Sequence, residues 1–179
     1  QFKESHPQMD VRVVIDNSEK IQQYVISNRI DIGLVEGAIN DPNIIKHKYR
    51  DDELVMICGN DHPFACKDKI KPSSLLDETL ILREPGSAGR EIFDSMMTTQ
   101  GLEVTPTWES ISTQAIIRAV KAGIGISVLP YLLVKEYLNK KEISQFKLSG
   151  IQFKRGFYVI YHKSKFLTQS AKDFIALCK

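Results

Sequence analysis

Two stretches rich in β-branched residues, DVRVVID at residues 10–16 and IDIGLV at residues 30–35, decide the fold class. Their composition, and the alternation within the first, predict that both are strands. Between them, Asn17 or Ser18 caps a predicted helix whose apolar residues fall at helical spacing. A strand, a helix of about ten residues and a second strand form a βαβ unit, so we expect the two strands to be parallel.

The same alternation continues to the end of the chain. Apolar runs predict further strands, and capping residues followed by apolar residues at helical spacing predict further helices. The predicted strands are 44–50, 53–59, 79–82, 104–109, 124–129, 143–148 and 156–162, and the main helices begin near Arg90, Ser112, Tyr131 and Thr168. This order predicts an α/β fold with mostly parallel sheet. Because the strands are too many for one small sheet, we interpret the chain as two lobes joined twice.

The composition is that of an ordinary globular protein. Hydrophobic residues make up 42% of the chain and charged residues 26%, which argues against disorder. The formal net charge of +2, with basic residues dispersed among acidic ones, argues against a chain that grips nucleic acid by itself. No apolar run approaches the roughly 20 residues that span a bilayer, so we expect no membrane partner. The three cysteines fit no metal-binding spacing and indicate a reducing, cytoplasmic setting.

Motifs of known catalytic sites do not occur in the sequence. It contains no nucleophile elbow, no phosphate-binding loop and no dinucleotide-binding glycine pattern. The paired carboxylates Asp51-Asp52 and Asp77-Glu78 lie in predicted turns, where capping and solvation account for them. We therefore predict a binding protein and not an enzyme, with no metal and no cofactor.

A loop of small residues, PGSAG at residues 85–89, follows the predicted strand 79–82 and precedes a helix. Glycines let backbone amides approach a ligand, and a helix N-terminus presents unpaired N–H groups that suit an anion. Ser87 in this loop and Ser112, which follows the strand 104–109, occupy equivalent places. The alternative is that both serines only cap their helices, as serine commonly does.

Two arginines, Arg83 and Arg90, flank this loop. Each has the geometry to offer two parallel hydrogen bonds to a carboxylate or another oxyanion. Surface salt bridges to Glu84 or Glu91 explain them equally well, and the sequence leaves both interpretations open.

Four segments of the chain resemble a known family. They are RIDIGLVEG at residues 29–37, DELVMI at 52–57 with DHPFA at 61–65, ILREPGSAGR at 81–90, and the stretch 112–130. In sequence, order and spacing they are similar to the effector-binding domain of LysR-type transcriptional regulators, over nearly the whole chain. The resemblance implies a type 2 periplasmic-binding-protein-like fold, in which two Rossmann-like lobes hold an effector in a cleft.

The resemblance also implies where the effector binds. Residues at two helix N-termini line the effector cleft in this family, and the matching positions here are Gly86, Ser87, Ser112 and Thr113. Ligands of open α/β sheets also bind where strands end, and Glu36 and Gly37 end the strand 30–35. A simple turn explains Glu36 and Gly37 equally well.

Domain limits and partners follow from the same resemblance. We expect lobe I to comprise residues 1–81 with 160–179, without the family's first strand and its loop, and lobe II to comprise residues 82–159. The expected effector is a small anionic or carboxylate metabolite, and the expected assembly is a homodimer or tetramer. DNA would be bound only through an N-terminal winged helix-turn-helix outside this chain. The alternative is the solute-receptor domain of a transporter, which has the same two-lobed plan.

Overall fold

Helices and strands alternate along the computed structural model, which describes residues 1–178. The helices are α1 (Phe2–Ser5), α2 (Ser18–Ile26), α3 (Ala88–Thr99), α4 (Thr113–Lys121), α5 (Tyr131–Asn139) and α6 (Gln169–Leu177), with a 3-10 helix at Pro72–Asp77. The strands are β1 (Gly33–Glu36), β2 (Ile44–Cys58), β3 (Ile81–Arg83), β4 (Trp108–Ser110), β5 (Ser127–Pro130), β6 (Ser144–Phe146) and β7 (Phe153–His162). The predicted mixture of helices and strands is confirmed.

The described chain forms two compact units and passes between them twice. The first unit contains residues 1–51 and continues from Gly156 onward, and the second contains Asp52–Arg155. Two crossings were predicted, but with other limits: residues 52–81, predicted in lobe I, lie in the second unit, and residues 156–159, predicted in lobe II, lie in the first. The apolar end of β2 explains the difference, since it pairs with both β5 and β6.

In the first unit, α2 packs on an antiparallel pair of strands, β1 and β7. The helix begins where the sequence predicted, because the Asn17 side chain accepts a hydrogen bond from the Lys20 amide at 3.0 Å. Its apolar face, with Ile21 and Val25, is buried in one cluster with residues of both strands, including Ile160. The core of this unit therefore lies between α2 and the ladder.

Residues 10–16 were predicted to be the first strand of a parallel βαβ unit, and that prediction was wrong. They form no strand, and the side chains of Val13 and Ile15 are 77% and 92% exposed. A strand is stable only beside a hydrogen-bonded neighbour, and within residues 1–178 no strand pairs with this segment. The second strand of the predicted unit, β1, pairs instead with β7.

The second unit contains the βαβ arrangement that the first one lacks. β3 and β4 are parallel neighbours, and α3 connects them. Phe93 of α3 is buried in one apolar cluster, and Ile116 and Val120 of α4 are buried in a second. β2 pairs with β5 and β6 in antiparallel register, so the sheet is less parallel than predicted.

β2 runs without a break through Asp51 and Asp52, which the sequence placed in a turn. The Asp52 carboxylate accepts hydrogen bonds from Arg155, from Nε at 2.9 Å and from Nη2 at 2.6 Å. The two side chains are 3% and 2% exposed. Asp51 is exposed and forms an ion pair with Lys48. The interpretation of Asp52 as a solvated turn residue was therefore wrong, because it neutralises a buried arginine.

Candidate functional site

Two parallel strands of the second unit end side by side. Arg83, the last residue of β3, lies opposite Ser110, the last residue of β4. The loop after β3 leads to Ser87 at the N-terminus of α3, and the loop after β4 leads to Ser112 at the N-terminus of α4. Both helices therefore start from the carboxyl edge of the sheet, where ligands of open α/β sheets bind.

Ser112 caps α4. Its hydroxyl accepts a hydrogen bond from the Ala115 amide at 3.2 Å. Its own amide donates to the Ser110 hydroxyl at 3.1 Å, which fixes the loop between strand and helix. The capping interpretation is confirmed for Ser112, although a capping hydroxyl that accepts one bond still has a proton to donate.

Ser87 also occupies the N-cap position, but its hydroxyl makes no capping hydrogen bond. The residue is only 4% exposed, and among residues 1–178 no hydrogen bond of this hydroxyl is found. The Ser87 amide donates to the Glu84 carbonyl at 3.2 Å and closes a turn with Pro85 and Gly86 at its centre. Gly86 has a φ of 82°, which the third position of a type II turn requires. Ser87 thus has a hydroxyl group whose partner is not supplied by the turn or by the helix.

Arg83 is held by two neighbours. Its Nε and Nη2 donate to the two carboxylate oxygens of Glu84 at 2.8 and 3.0 Å. Its Nη1 donates to Thr113 Oγ1 at 3.2 Å, which ties the end of β3 to the first residue of α4. The salt bridge to Glu84, which the sequence offered as an alternative, is present. The predicted site residue Thr113 contacts Arg83 through a separate hydrogen bond.

Arg90 connects α3 to both strands. Nε donates to Asp94 at 2.7 Å, and Nη1 donates to Glu109 at 2.8 Å and to the Arg83 carbonyl at 3.0 Å. Burial lowers the pKa of Arg90, but the hydrogen bonds that it donates to Glu109 and Asp94 outweigh this effect and raise the pKa above its ordinary value. This pattern fits the structural interpretation of Arg90, because its donors serve the packing of α3.

Glu36 and Gly37, the predicted site residues of the first unit, form a turn at the end of β1. Gly37 has a φ of 86°, and its amide donates to the Gly156 carbonyl at 3.3 Å. The Glu36 amide donates to the Ser18 hydroxyl at 3.4 Å. The sequence indicated Ser18 only as a possible helix cap. Its contact with Glu36 was not predictable, because the two residues are 18 positions apart in the sequence. Effector binding by Glu36 and Gly37 stays a prediction.

Other kinds of site find less support in the described residues. Among residues 1–178, no group of His, Cys, Asp and Glu side chains is arranged to hold a metal ion. No helix of that range has the length and apolar character needed to cross a bilayer. A surface groove of about 570 Å³ lies beside β4. Of the candidate residues only Arg90 lines it; its lining residues are Arg90, Glu103, Val104, Thr105, Pro106, Thr107 and Glu109.

The sequence matches a family of bacterial regulators. The family described as LysR substrate binding domain matches residues 1–179. The HTH-type transcriptional regulator CysL of Bacillus subtilis is 30% identical over 179 residues, covering 100% of this chain and 60% of that protein. The HTH-type transcriptional activator CmpR of Synechocystis is 28% identical over 176 residues, covering 98% of this chain and 58% of that protein. This chain spans about three fifths of the length of these relatives.

Solved structures show the same fold. The regulatory domain of CcmR from Synechocystis, solved in complex with 2-PG, is 27% identical and superposes with a TM-score of 0.87, covering 99% of this chain and 85% of that one. The effector-binding domain of QuiR, solved in complex with shikimate, is 19% identical with a TM-score of 0.84, covering 99% of this chain and 84% of that one. These neighbours confirm the predicted type 2 periplasmic-binding-protein-like fold.

The matches also decide between the two functional alternatives. The named relatives are transcriptional regulators and regulatory domains, so the alternative of a transporter receptor is not supported. The family match covers every residue of the sequence. The chain belongs to the LysR substrate-binding domain family.

Proposed function

We propose that this chain is the effector-sensing domain of a LysR-type transcriptional regulator, and that its second unit binds a small anionic metabolite. The observation that carries the proposal is Ser87, a buried serine at a helix N-terminus whose hydroxyl makes no capping bond. The Ser87 hydroxyl, which neither the turn nor the helix engages, can take a ligand as its hydrogen-bond partner. The proposed ligand supplies that partner.

The chemistry around Ser87 favours a negative charge. The first amides of α3 have no acceptors within the helix, and the helix dipole places a partial positive charge there. Gly89 and Ala88, which follow Ser87, are small and buried, so the backbone is open to close approach. Ser112 and the first amides of α4 start from the neighbouring strand end. Two helix N-termini at one sheet edge support an anion as the ligand.

The relatives support the same class of ligand. CcmR, at 27% identity, was solved in complex with 2-PG (2-phosphoglycolate), a small molecule with a phosphate and a carboxylate. We propose that the response to such a ligand passes to a winged helix-turn-helix in the rest of the regulator, since this chain spans only part of its relatives. The proposed regulator would act on DNA in the cytoplasm, and the proposed role of this chain is binding without turnover.

Titration calorimetry tests the site. Wild-type protein and three single variants, Ser87→Ala, Ser112→Ala and the control Ser95→Ala, are titrated with 2-phosphoglycolate. A hydrogen bond to a charged group contributes about 1.5–3 kcal/mol, so Ser87→Ala should weaken binding about 10- to 100-fold. Ser95 is exposed in the middle of α3, and its substitution should change nothing.

Two results would contradict this proposal. Folded Ser87→Ala protein with wild-type affinity would place the ligand elsewhere. A wild-type protein that binds neither 2-phosphoglycolate nor any of a panel of small carboxylates and phosphate esters would overturn the anionic class of effector.

We also propose that the protein is a homo-oligomer that uses α5. Leu132 and Leu133 of this helix are 37% and 50% exposed, whereas Val134 is fully buried, so the helix has more apolar surface than the core of its unit covers. Light scattering should show a dimer or larger species for the wild type. Leu133→Glu should shift it toward monomer, and Lys135→Glu, at an exposed position of the same helix, should not. A wild-type monomer at high concentration would contradict the proposal.

A further inference from the structure

The contact between Arg83 and Glu84 is an ion pair between adjacent residues. All three nitrogens of the Arg83 guanidinium donate hydrogen bonds, two to the Glu84 carboxylate and one to Thr113. The side chains of Arg83 and Glu84 are 22% and 19% exposed, so the pair is sheltered and still accessible from solvent. Arginine binds carboxylate and phosphate ligands with the same geometry, in which two N–H groups donate to two oxygens.

This pair lies at the edge of the sheet where the effector is proposed to bind. Arg83 is the last residue of β3, and the loop after it leads directly to Ser87. Its Thr113 contact lies in the residue that follows Ser112. The Glu84 carboxylate of the protein itself is therefore bound to the Arg83 guanidinium, which lies between the loops that carry Ser87 and Ser112.

The Glu84 side chain can leave without disturbing the loop. The turn that precedes α3 is closed by the Glu84 carbonyl, which accepts from the Ser87 amide, and does not depend on the carboxylate. Arg83 would keep its hydrogen bond to Thr113 after the carboxylate has moved. Displacement therefore requires the rotation of one partly exposed side chain, and the backbone stays in place.

We propose that Glu84 is a tethered competitor of the effector, and that the effector's second anionic group displaces it from Arg83. This inference rests on the proposed function. One anionic group of the effector is held by Ser87 and the helix N-termini, and a second one replaces the Glu84 carboxylate on Arg83. A monoanion leaves the Arg83–Glu84 pair intact and is repelled by the Glu84 charge. The site consequently selects small molecules with two anionic groups, either two carboxylates or a carboxylate and a phosphate, over molecules of similar size with one.

Titrations with 2-phosphoglycolate and with glycolate, which lacks the phosphate, test the inference. Glu84→Gln should tighten binding of 2-phosphoglycolate about tenfold. A like charge beside an ionic group commonly shifts the pKa of that group by one unit or more, and one unit corresponds to a tenfold change in an equilibrium constant. Arg83→Gln should weaken binding of 2-phosphoglycolate, and in the double variant Glu84→Gln should give a smaller gain than it does in the wild type, because no guanidinium is left for the effector to bind. Binding of glycolate should change less in all three variants. Asp68→Asn, at an exposed position without an ion pair among residues 1–178, is the control with the same change in net charge.

The outcomes separate this inference from the proposed function. If Ser87→Ala weakens binding but folded Glu84→Gln protein binds 2-phosphoglycolate no more tightly than wild type, the competitor role is overturned and the anion site stands. An equal gain in Asp68→Asn would also overturn it, because the effect would then be one of net charge. If neither Ser87→Ala nor any Arg83 or Glu84 variant changes the affinity, or if the wild type binds neither probe and none of the panel of small carboxylates and phosphate esters, the proposed function falls as well.

Discussion

Replacement of Asp52 by alanine is expected to lower the free energy of unfolding by about 3–5 kcal/mol, the usual cost of removing one partner from a buried ion pair. The Asp52 and Arg155 side chains are 3% and 2% exposed, and two hydrogen bonds of 2.9 and 2.6 Å join them. Without the carboxylate, the guanidinium stays buried in the core of the second unit and loses two hydrogen bonds and a counter-charge. The magnitude follows from burial, since an exposed pair contributes only about 0–1 kcal/mol.

The neighbouring residue provides a matched control. Asp51 is 81% exposed and pairs with Lys48 on the surface, so Asp51→Ala should cost less than about 1 kcal/mol. Guanidinium chloride titrations measure both variants, with far-UV circular dichroism for the whole chain and the fluorescence of Trp108, the one tryptophan, for the second unit. Equal losses in the two variants would refute the argument from burial.

Three further predictions concern single residues. Cys66 is exposed and should react rapidly with a thiol reagent at neutral pH, whereas burial raises the pKa of Cys58 to about 11 and should keep it unreactive until the protein unfolds. The same shift stabilises the folded state below pH 9, a contribution that should be lost as the pH rises toward 11 in stability measurements. Gly125→Ala should strongly destabilise the fold in thermal melts, because an added Cβ would lie 2.3 Å from the Thr79 carbonyl oxygen. Asn17→Ala should cost about 1 kcal/mol in a denaturant titration through the loss of its cap.

Features that depend on short stretches of sequence were predictable. Asn17, Ser112 and Thr168 were each predicted to start a helix, and each accepts a hydrogen bond from the amide three residues later. A cap is a contact between near neighbours, so the sequence contains all of its components. The same is true of the turn at Gly86, where proline and glycine occupy the positions that a type II turn requires.

Features that depend on distant partners were predicted less well. Residues 10–16 have the composition of a strand, but composition does not supply the neighbour that a strand needs, and their side chains stay exposed. Asp52 is the opposite case, a residue predicted to be solvated that is buried. Its partner Arg155 lies 103 residues away in sequence. Nothing in the local pattern Asp51-Asp52 distinguishes the exposed carboxylate from the buried one. The predicted limits of the two units differ from the observed ones for the same reason, since the pairing of β2 with β5 and β6 also joins residues that are far apart in the sequence.

The two serines of the candidate site show where sequence reasoning ends and structure becomes necessary. Ser87 and Ser112 follow strands and precede helices, and by sequence they were equivalent, with capping as the alternative for both. In the structure Ser112 caps α4, and Ser87 does not cap α3. The Ser87 amide closes the turn from Glu84, and the Ser87 hydroxyl accepts no hydrogen bond from the first turn of α3. A side chain that the fold buries and does not bond is the one that a ligand can bind with the least competition. Arg83 is the opposite case, because its donors already bond to Glu84 and Thr113. A ligand at this edge can therefore bond to the Ser87 hydroxyl directly but must compete with Glu84 for Arg83.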